Sequence, residues 1–279
     1  MGRAAERSRT PGPGRAAERS RTVEGAAGPA ETAAGVPREG RPTARIRRVL
    51  TTRAGGRSRP PYDAFNLGDH VGDDPAAVSA NRRRLGEGIG LGPDRVAWMH
   101  QVHGTDVAVV TAPGQETPTA DALVTDRPRL ALAVVVADCV PVLLADPYAG
   151  VVGAAHAGRR GAADGVLPRT LEVMTELGAE PARVEALLGP SVCGQCYEVP
   201  AQMRDEVEAA LPGSASTTRV GSPGLDLRAG LRRQLAGLGL TRIDVDGRCT
   251  FEDDQLFSHR RAQPTGRLAA VTWWEYARP

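Results

Sequence analysis

Two short apolar runs within residues 131–161 constrain the fold more than any other part of the chain. Ala131–Ala137 and Val151–Ala155 are rich in Val and Ala, and turn residues follow each of them closely. Unbroken apolar runs of this length are typical of strands that are buried on both faces. Because strand patterns alternate with helical patterns, and some neighbouring strands are hairpin-like, we predict an α/β fold with mixed sheets.

Chemically reactive side chains follow directly after both runs. Asp138 and Cys139 come after the first run, whereas His156 and the segment 158–161 (GRRG) come after the second. In open α/β sheets, residues just beyond the carboxyl ends of strands face the ligand crevice. We therefore expect a carboxylate, a thiol, an imidazole and a guanidinium to meet at one edge of the sheet.

The remaining pattern predicts one domain over residues 45–279, with a long ordered loop at residues 53–75. Further strands are predicted at Arg45–Thr52, Val96–His100, Asp106–Val110, Val184–Leu188, Ile243–Val245 and Leu268–Trp274, and Thr119–Thr125 leads into the central strands. Helices are predicted at Val78–Ile89, at Gly165–Leu177, at Pro200–Leu211 and after an N-cap at Asp226.

Residues 1–44 are predicted to be a disordered, low-complexity tail. The segment GRAAERSRT occurs twice, at Gly2–Thr10 and Gly14–Thr22, and a stretch rich in Pro, Gly and Ala follows. Such a composition buries too little apolar surface to offset the entropy lost on ordering.

Composition excludes several classes of protein. The net charge of +2 gives no signature of nucleic-acid binding. All 35 basic residues are Arg, so no Schiff-base lysine is present. Four Cys in 279 residues do not make a disulfide scaffold. There is no apolar stretch of roughly 18 residues and no apolar leader segment, so we expect a cytoplasmic protein that does not enter the membrane.

Three residues carry donor atoms that suit zinc: His103, Cys139 and His156. Three protein ligands with one open position are typical of a catalytic zinc site. Their separations of 36 and 17 residues match no compact zinc motif, so folding must bring them together. Cys139 beside His156, with Asp138 orienting the imidazole, is also the arrangement of an activated nucleophile. Residue types alone leave that alternative open.

Two further motifs carry weaker signals. Arg160 lies at a predicted helix start between two glycines, where backbone N–H groups and a guanidinium favour an anion such as phosphate. Cys193 and Cys196 form a C-x-x-C motif without a second pair, since Cys249 is single. We predict a structural or incidental role for that motif.

A series of motifs in one order resembles the YfiH family, from about Val49 to Trp273. These motifs are NLGDHVGDD (66–74), QVHG (101–104), ADALVT (120–125), ADCVPVLLAD (137–146), HAGRRG (156–161), LGPSVCGQCYEV (188–199), DLR (226–228) and SHRRAQPTGRLAAVTW (258–273). Members of this family have been described as laccase-domain polyphenol oxidases and as purine nucleoside phosphorylases. The resemblance implies a single layered α/β domain and a zinc ion held by His103, Cys139 and His156.

The resemblance also implies an activity and further site residues. It implies phosphorolysis of adenosine, inosine and S-methylthioadenosine, with adenosine deamination as an additional activity. Arg53, Asn66 and Gln101 are expected to line the substrate pocket, with Arg160 binding phosphate and Asp138 moving protons. The chain departs from the family pattern twice, with Arg159 in place of Trp and His259 in place of Tyr.

Three other functions remain open from the sequence. They are copper-dependent polyphenol oxidation, Cys–His hydrolysis of peptidoglycan precursors, and non-catalytic nucleotide binding. Four Cys and five His are too few for the several copper sites of a multicopper oxidase, which makes copper the alternative metal and zinc the expected one. The expected partners are a nucleoside and phosphate. The protein is expected to be a monomer.

Overall fold

Residues 44–277 are described in the computed structural model. Twelve strands are found there: β1 Arg45–Leu50, β2 Val96–Ala97, β3 Val107–Val109, β4 Ala122–Thr125, β5 Ala131–Val136, β6 Val140–Asp146, β7 Val151–Ala157, β8 Glu185–Leu188, β9 Ala215–Thr217, β10 Pro223–Leu225, β11 Arg242–Val245 and β12 Leu268–Glu275. The helices in this range are α1 Pro75–Gly88, α2 Arg159–Asp164, α3 Val166–Glu176, α4 Ala201–Ala210 and α5 Leu227–Gly237. The tail predicted at residues 1–44 lies outside the described residues, except for Ala44.

Two sheets carry most of the strands. The smaller has the order β1-β12-β5-β2, and the larger has the order β11-β8-β6-β7-β4-β3. Strands β9 and β10 form a separate antiparallel pair. Parallel and antiparallel neighbours occur in both large sheets, which confirms the predicted mixed α/β fold.

Strand β5 shows how the layers stack. Leu132, Val134 and Val136 point into a core between the two sheets, where they join residues of β6 and β7. The alternate residues Ala131 and Ala133, with Val135, pack on the opposite face in the cluster that contains Leu85 of α1. Alternation of side chains across a strand explains why this run is apolar at every position. The far face of the larger sheet packs on residues of α2, α3, α4 and α5.

Local signals set the helix ends largely as predicted. The Asp226 side chain accepts a hydrogen bond from the Ala229 N–H and caps α5. Asp74 caps α1 in the same way, accepting from Ala76. The helix predicted at Gly165–Leu177 begins at Val166, and Gly165 in the left-handed conformation separates it from the short helix α2.

Strand β6 is not among the predicted strands, and β7 extends further than the predicted run Val151–Ala155. Strand β6 is fully buried and central, although its Pro141 has no N–H to donate to a neighbouring strand. Strand β7 continues to Ala157, so His156 lies inside a strand and not beyond its end. Among the helices of residues 44–277, none combines the length and the apolar character that crossing a membrane requires.

Candidate metal centre and its cavity

His103, Cys139 and His156 are brought together by the fold. One ligand atom from each lies within 4.8 Å of the other two, and Cys139 Sγ is 3.8 Å from His103 Nε2. The imidazole rings meet edge to face with centroids 4.7 Å apart. The antiparallel pairing of β6 with β7 sets Pro141 opposite His156, which brings Cys139, just before β6, next to the end of β7.

The predicted groups do meet near the carboxyl ends of β5 and β7, but these strands lie in different sheets, so the groups do not share the edge of one sheet. Strands β5 and β6 belong to different sheets, and Asp138 and Cys139 lie where the chain passes from one sheet to the other. The ligands meet because the beginning of β6 lies beside the end of β7 in an antiparallel pair. The predicted groups are close together for a different reason.

A buried carboxylate that the sequence analysis did not identify orients two of the three residues. Asp121 is fully buried and accepts a hydrogen bond of 2.8 Å from His156 Nδ1. It also accepts from the backbone N–H groups of Val102, His103 and Gly104, at 3.1, 3.0 and 2.6 Å. A single charge thus fixes both the His103 loop and the His156 ring. Asp121 lies within the ADALVT motif, but its sequence position gave no sign of these partners.

The charges at the centre favour a thiolate beside an imidazolium in the metal-free protein. Burial alone would raise the pKa of Cys139, but hydrogen bonds and charge from His103 and His156 outweigh it and lower the pKa to about 6. Burial would lower the pKa of His156, but Asp121 and Cys139 raise it to about 9. Burial likewise opposes ionisation of Asp121, yet hydrogen bonds from His156 and the backbone N–H of Gly104 leave its pKa lowered.

Backbone conformations at the centre are unusual for residues other than glycine. His103 has φ of 62° and Asp138 has φ of 85°, and such left-handed conformations cost about 1–3 kcal/mol each. Contacts hold Asp138 in place: its Oδ1 accepts from Thr250 Oγ1 at 2.6 Å and its Oδ2 from the Arg260 N–H at 2.7 Å. The Val192 N–H donates to its carbonyl oxygen at 3.1 Å.

Two glycines allow the HAGRRG segment to approach the His103 loop. A Cβ at Gly158 would lie 2.7 Å from His103 Cδ2 and 3.2 Å from Cys139 Sγ. A Cβ at Gly161 would lie 2.6 Å from the carbonyl oxygen of Gly104. Any side chain at either position would therefore push the two segments apart.

The donor set fits a metal ion. Two imidazole nitrogens and one thiolate sulfur are ligands that zinc and copper accept, and Asp121 supplies the supporting carboxylate that metal-bound histidines require. Three protein ligands leave a position open for a further ligand.

A cavity of about 450 Å³ opens beside this centre. Its walls are formed by Ala137, Asp138, Cys139, Arg159, Val192, Tyr197, Leu227, His259, Arg260 and Gln263. The Arg260 guanidinium lies over the Tyr197 ring, 4.9 Å from its centroid. Burial and the nearby Cys139 raise the pKa of Tyr197, so its phenol keeps its proton and can donate a hydrogen bond. The cavity thus combines two guanidinium groups, one carboxylate and one phenol.

The other predicted site residues lie elsewhere. Arg160 is exposed and is not among the lining residues, whereas its neighbour Arg159 is. Arg53 pairs with Asp63, its Nη2 3.1 Å from the carboxylate. Gln101 bonds to the backbone of β5, accepting from the Val135 N–H and donating to its carbonyl oxygen.

Asn66 is fully buried inside the long loop. Its amide group donates to the Gly68 carbonyl and to Asp73, and it accepts from the N–H groups of Gly68 and Arg267. The amide therefore has all its hydrogen bonds satisfied within the protein. Asn66, Arg53 and Gln101 thus hold protein segments together, and the lining of the cavity does not include them. Their substrate contacts stay predictions.

The structure also brings Cys249 to the C-x-x-C motif. Ligand atoms of Cys193, Cys196, Cys249 and Glu252 lie within 4.8 Å of one another. Cys249 is single in the sequence because more than 50 residues separate it from the motif.

Comparison with known proteins identifies the family. A family model described as multi-copper polyphenol oxidoreductase laccase matches residues 47–275. The structure is similar to that of YfiH from Bacillus licheniformis, with a TM-score of 0.77 and 30% identity over 83% of this chain and 96% of that one. It is also similar to YlmD from Geobacillus stearothermophilus, with a TM-score of 0.76 and 36% identity over 82% of this chain and 92% of that one. The chain belongs to the YfiH family of laccase-like domains.

Relatives of this chain carry the name of an enzyme. A protein of Mycobacterium tuberculosis named purine nucleoside phosphorylase is 62% identical over 237 residues, which are 85% of this chain and 95% of that protein. One of Corynebacterium glutamicum with the same name is 56% identical over 231 residues, which are 82% of this chain and 94% of that protein.

Proposed function

We propose that the protein is a zinc-dependent purine nucleoside phosphorylase. The observation that carries the proposal is the cavity beside the candidate metal centre. Arg159, Arg260 and Asp138 all line this cavity. Paired guanidinium groups suit a phosphate dianion, and a carboxylate suits a sugar that becomes positively charged. The names of the relatives at 62% and 56% identity support the same reaction.

The reaction requires one bond to form and one to break. An oxygen of phosphate forms a bond to C1′ of the nucleoside as the C1′–N9 bond breaks. The electron pair of the broken bond goes to the purine, which takes up a proton. The products are ribose 1-phosphate and the free base.

In this reaction the guanidinium groups of Arg159 and Arg260 would bind phosphate and orient it toward C1′. Asp138, held by Thr250 and by the Arg260 N–H, would stabilise positive charge that develops on the ribose. Tyr197 would supply an apolar ring and a phenolic proton donor for the base. Arg159 occupies the position of the usual family Trp, and Tyr197 supplies a phenol ring to the lining of this cavity.

His103, Cys139 and His156 would hold the zinc ion, with Asp121 fixing the His156 ring. When bound, zinc would supply a positive charge that stabilises negative charge at the edge of the cavity. Occupancy of the site requires Cys139 as thiolate and both imidazoles neutral, so binding displaces the proton that Asp121 and Cys139 favour on His156.

Adenosine deamination is a second candidate, because Asp138 and Cys139 line the same cavity and the donor set leaves one position open. Copper oxidation of phenols is an alternative at the same centre, since two His and one Cys also suit copper. A stoichiometric copper content with a thiolate-to-copper absorption band would favour it.

Chromatographic analysis of the products distinguishes these functions. Zinc-loaded protein is incubated with adenosine, inosine or S-methylthioadenosine, with and without phosphate. Free base that forms only with phosphate supports phosphorolysis, whereas inosine formed from adenosine in both samples supports deamination. The Cys139→Ala variant is expected to lose metal from this centre and activity together, and full activity of that variant without metal there would contradict the proposal.

A further inference from the structure

A second group of metal-binding side chains lies outside the centre described above. It consists of Cys193, Cys196, Cys249 and Glu252, each with one ligand atom within 4.8 Å of the others. Three sulfur atoms at about 2.3 Å and one carboxylate oxygen at about 2.0–2.2 Å from a tetrahedral zinc ion are about 3.5–3.8 Å apart. Small side-chain rotations would bring the group to that spacing, and the proposed reaction uses none of the four residues.

Backbone hydrogen bonds hold the two contributing segments together. The Cys196 N–H donates to the Cys193 carbonyl at 2.9 Å, which closes the C-x-x-C turn. The Cys193 N–H lies 3.4 Å from Cys249 Sγ and donates to it. The Thr250 N–H donates to the Ser191 carbonyl at 3.1 Å. These bonds close the C-x-x-C turn and hold the segment of Cys249 beside it, so the three sulfur atoms lie near one another.

The donor atoms of the cluster suit a divalent cation. Three sulfur atoms lie close together, and zinc binds cysteine sulfur as the thiolate, so metal binding releases the thiol protons. Glu252 adds an oxygen donor, although one of its oxygens pairs with Arg219.

We propose that Cys193, Cys196, Cys249 and Glu252 bind a structural zinc ion. Four protein ligands fill the tetrahedral positions, which is typical of a closed structural site, and C-x-x-C spacing is a common source of two of them. Cys249 and Glu252, three residues apart, supply the other two. This proposal does not depend on the reaction proposed above.

A zinc ion at this cluster would stabilise one wall of the cavity. Val192 and Tyr197, which flank the C-x-x-C motif, line the cavity, and Thr250, next to Cys249, donates its hydroxyl to Asp138. A zinc ion at the cluster ties these two segments together behind the cavity. Its loss would therefore loosen both the cavity wall and the support of Asp138.

Metal content of the full-length protein tests the proposal. Wild type, Cys139→Ala and the double variant Cys139→Ala/Cys196→Ser are purified from zinc-supplemented cells. The zinc content per chain is measured by inductively coupled plasma mass spectrometry. We expect about two zinc ions per chain, then one, then none. After cobalt replacement, Cys139→Ala is expected to show the intense absorption of several thiolate ligands. A Cys139→Ala protein without bound metal would overturn the proposal.

Alkylation of the wild-type protein gives a test that needs no variant of the cluster. Cleavage after Arg yields residues 184–204, residues 249–260 and residues 130–159 as separate peptides, so each group of cysteines is read independently. In zinc-loaded protein, Cys193, Cys196 and Cys249 are expected to resist iodoacetamide until a chelator removes the metal. Reactivity that the chelator does not change, or a disulfide within or between the first two peptides, would contradict the site.

Discussion

Asp121 holds two parts of the candidate metal centre at once, so its replacement is the most informative perturbation. Each carboxylate oxygen accepts two hydrogen bonds: Oδ1 from His156 Nδ1 and the His103 N–H, and Oδ2 from the Val102 and Gly104 N–H groups. In an Asp121→Asn protein one oxygen becomes an NH₂ group. If the NH₂ group replaces Oδ2, the Val102 and Gly104 N–H groups lose their acceptor. If it replaces Oδ1, the His103 N–H loses its acceptor and His156 Nδ1 has to become an acceptor.

The expected loss of stability follows from the number of donors that lose their acceptor. A buried donor that loses its acceptor costs about 1–3 kcal/mol, so one or two of them cost about 1–6 kcal/mol in the free energy of unfolding. The upper end of this range is a large part of the 5–15 kcal/mol that is typical of a domain. Loss of the carboxylate that orients a metal-bound histidine lowers metal affinity about 10–100-fold. The negative charge that favours the protonated form of His156 is lost as well.

Two assays on the same protein check these values. The zinc affinity of the His103–Cys139–His156 centre is measured by competition with a chromophoric chelator in a Cys196→Ser background, and stability by urea unfolding of the metal-free protein. Asp205→Asn is the matched control, because Asp205 is exposed and pairs with the adjacent Arg204 on α4. A folded Asp121→Asn protein that binds zinc within twofold of wild type would refute the role assigned to Asp121.

Three further predictions concern the same site. In metal-free protein, alkylation of Cys139 is expected to reach half its maximal rate near pH 6, because the lowered pKa keeps the thiolate at every pH above about 6; a midpoint above pH 8 would contradict this. Arg159→Ala is expected to raise the KM for phosphate about 10–100-fold, because a charged hydrogen bond of about 1.5–3 kcal/mol is lost. Arg160→Ala is expected to raise this KM less. A larger effect of Arg160→Ala would favour the prediction from the sequence that Arg160 binds phosphate. Thr250→Val removes the hydroxyl that donates to Asp138 and is expected to lower kcat about tenfold with metal content unchanged; an unchanged kcat would show that the bond does not serve catalysis.

Much of the architecture could be predicted because strong local patterns set it. The apolar run that forms β5 and the Asp226 cap of α5 carry their signals within a few residues. Strand β6 was missed although all its residues are buried, because Pro141 is unusual in a central strand. The pairing of β6 with β7, which gathers the ligands, is a property of the tertiary fold and leaves no local signal.

Some residues of the site could likewise be identified from the sequence, whereas others could be identified only from the fold. His103, Cys139 and His156 could be selected because their donor atoms are chemically distinctive, although only the fold brings them within 4.8 Å. Asp121 could not, because an acidic residue in a sequence does not show that it accepts four buried hydrogen bonds. Choosing between adjacent arginines requires the direction of each side chain at the start of α2, and the structure sets Arg159 on the cavity wall.

The most direct test of the proposed reaction follows the oxygen atoms of phosphate. Zinc-loaded protein is incubated with adenosine and phosphate in which all oxygens are ¹⁸O, and the sugar product is analysed by mass spectrometry. Attack of phosphate on C1′ predicts adenine together with ribose 1-phosphate that carries all four labelled oxygens. Free ribose, inosine as the main product, or ribose 1-phosphate without the full label would contradict phosphorolysis at this site.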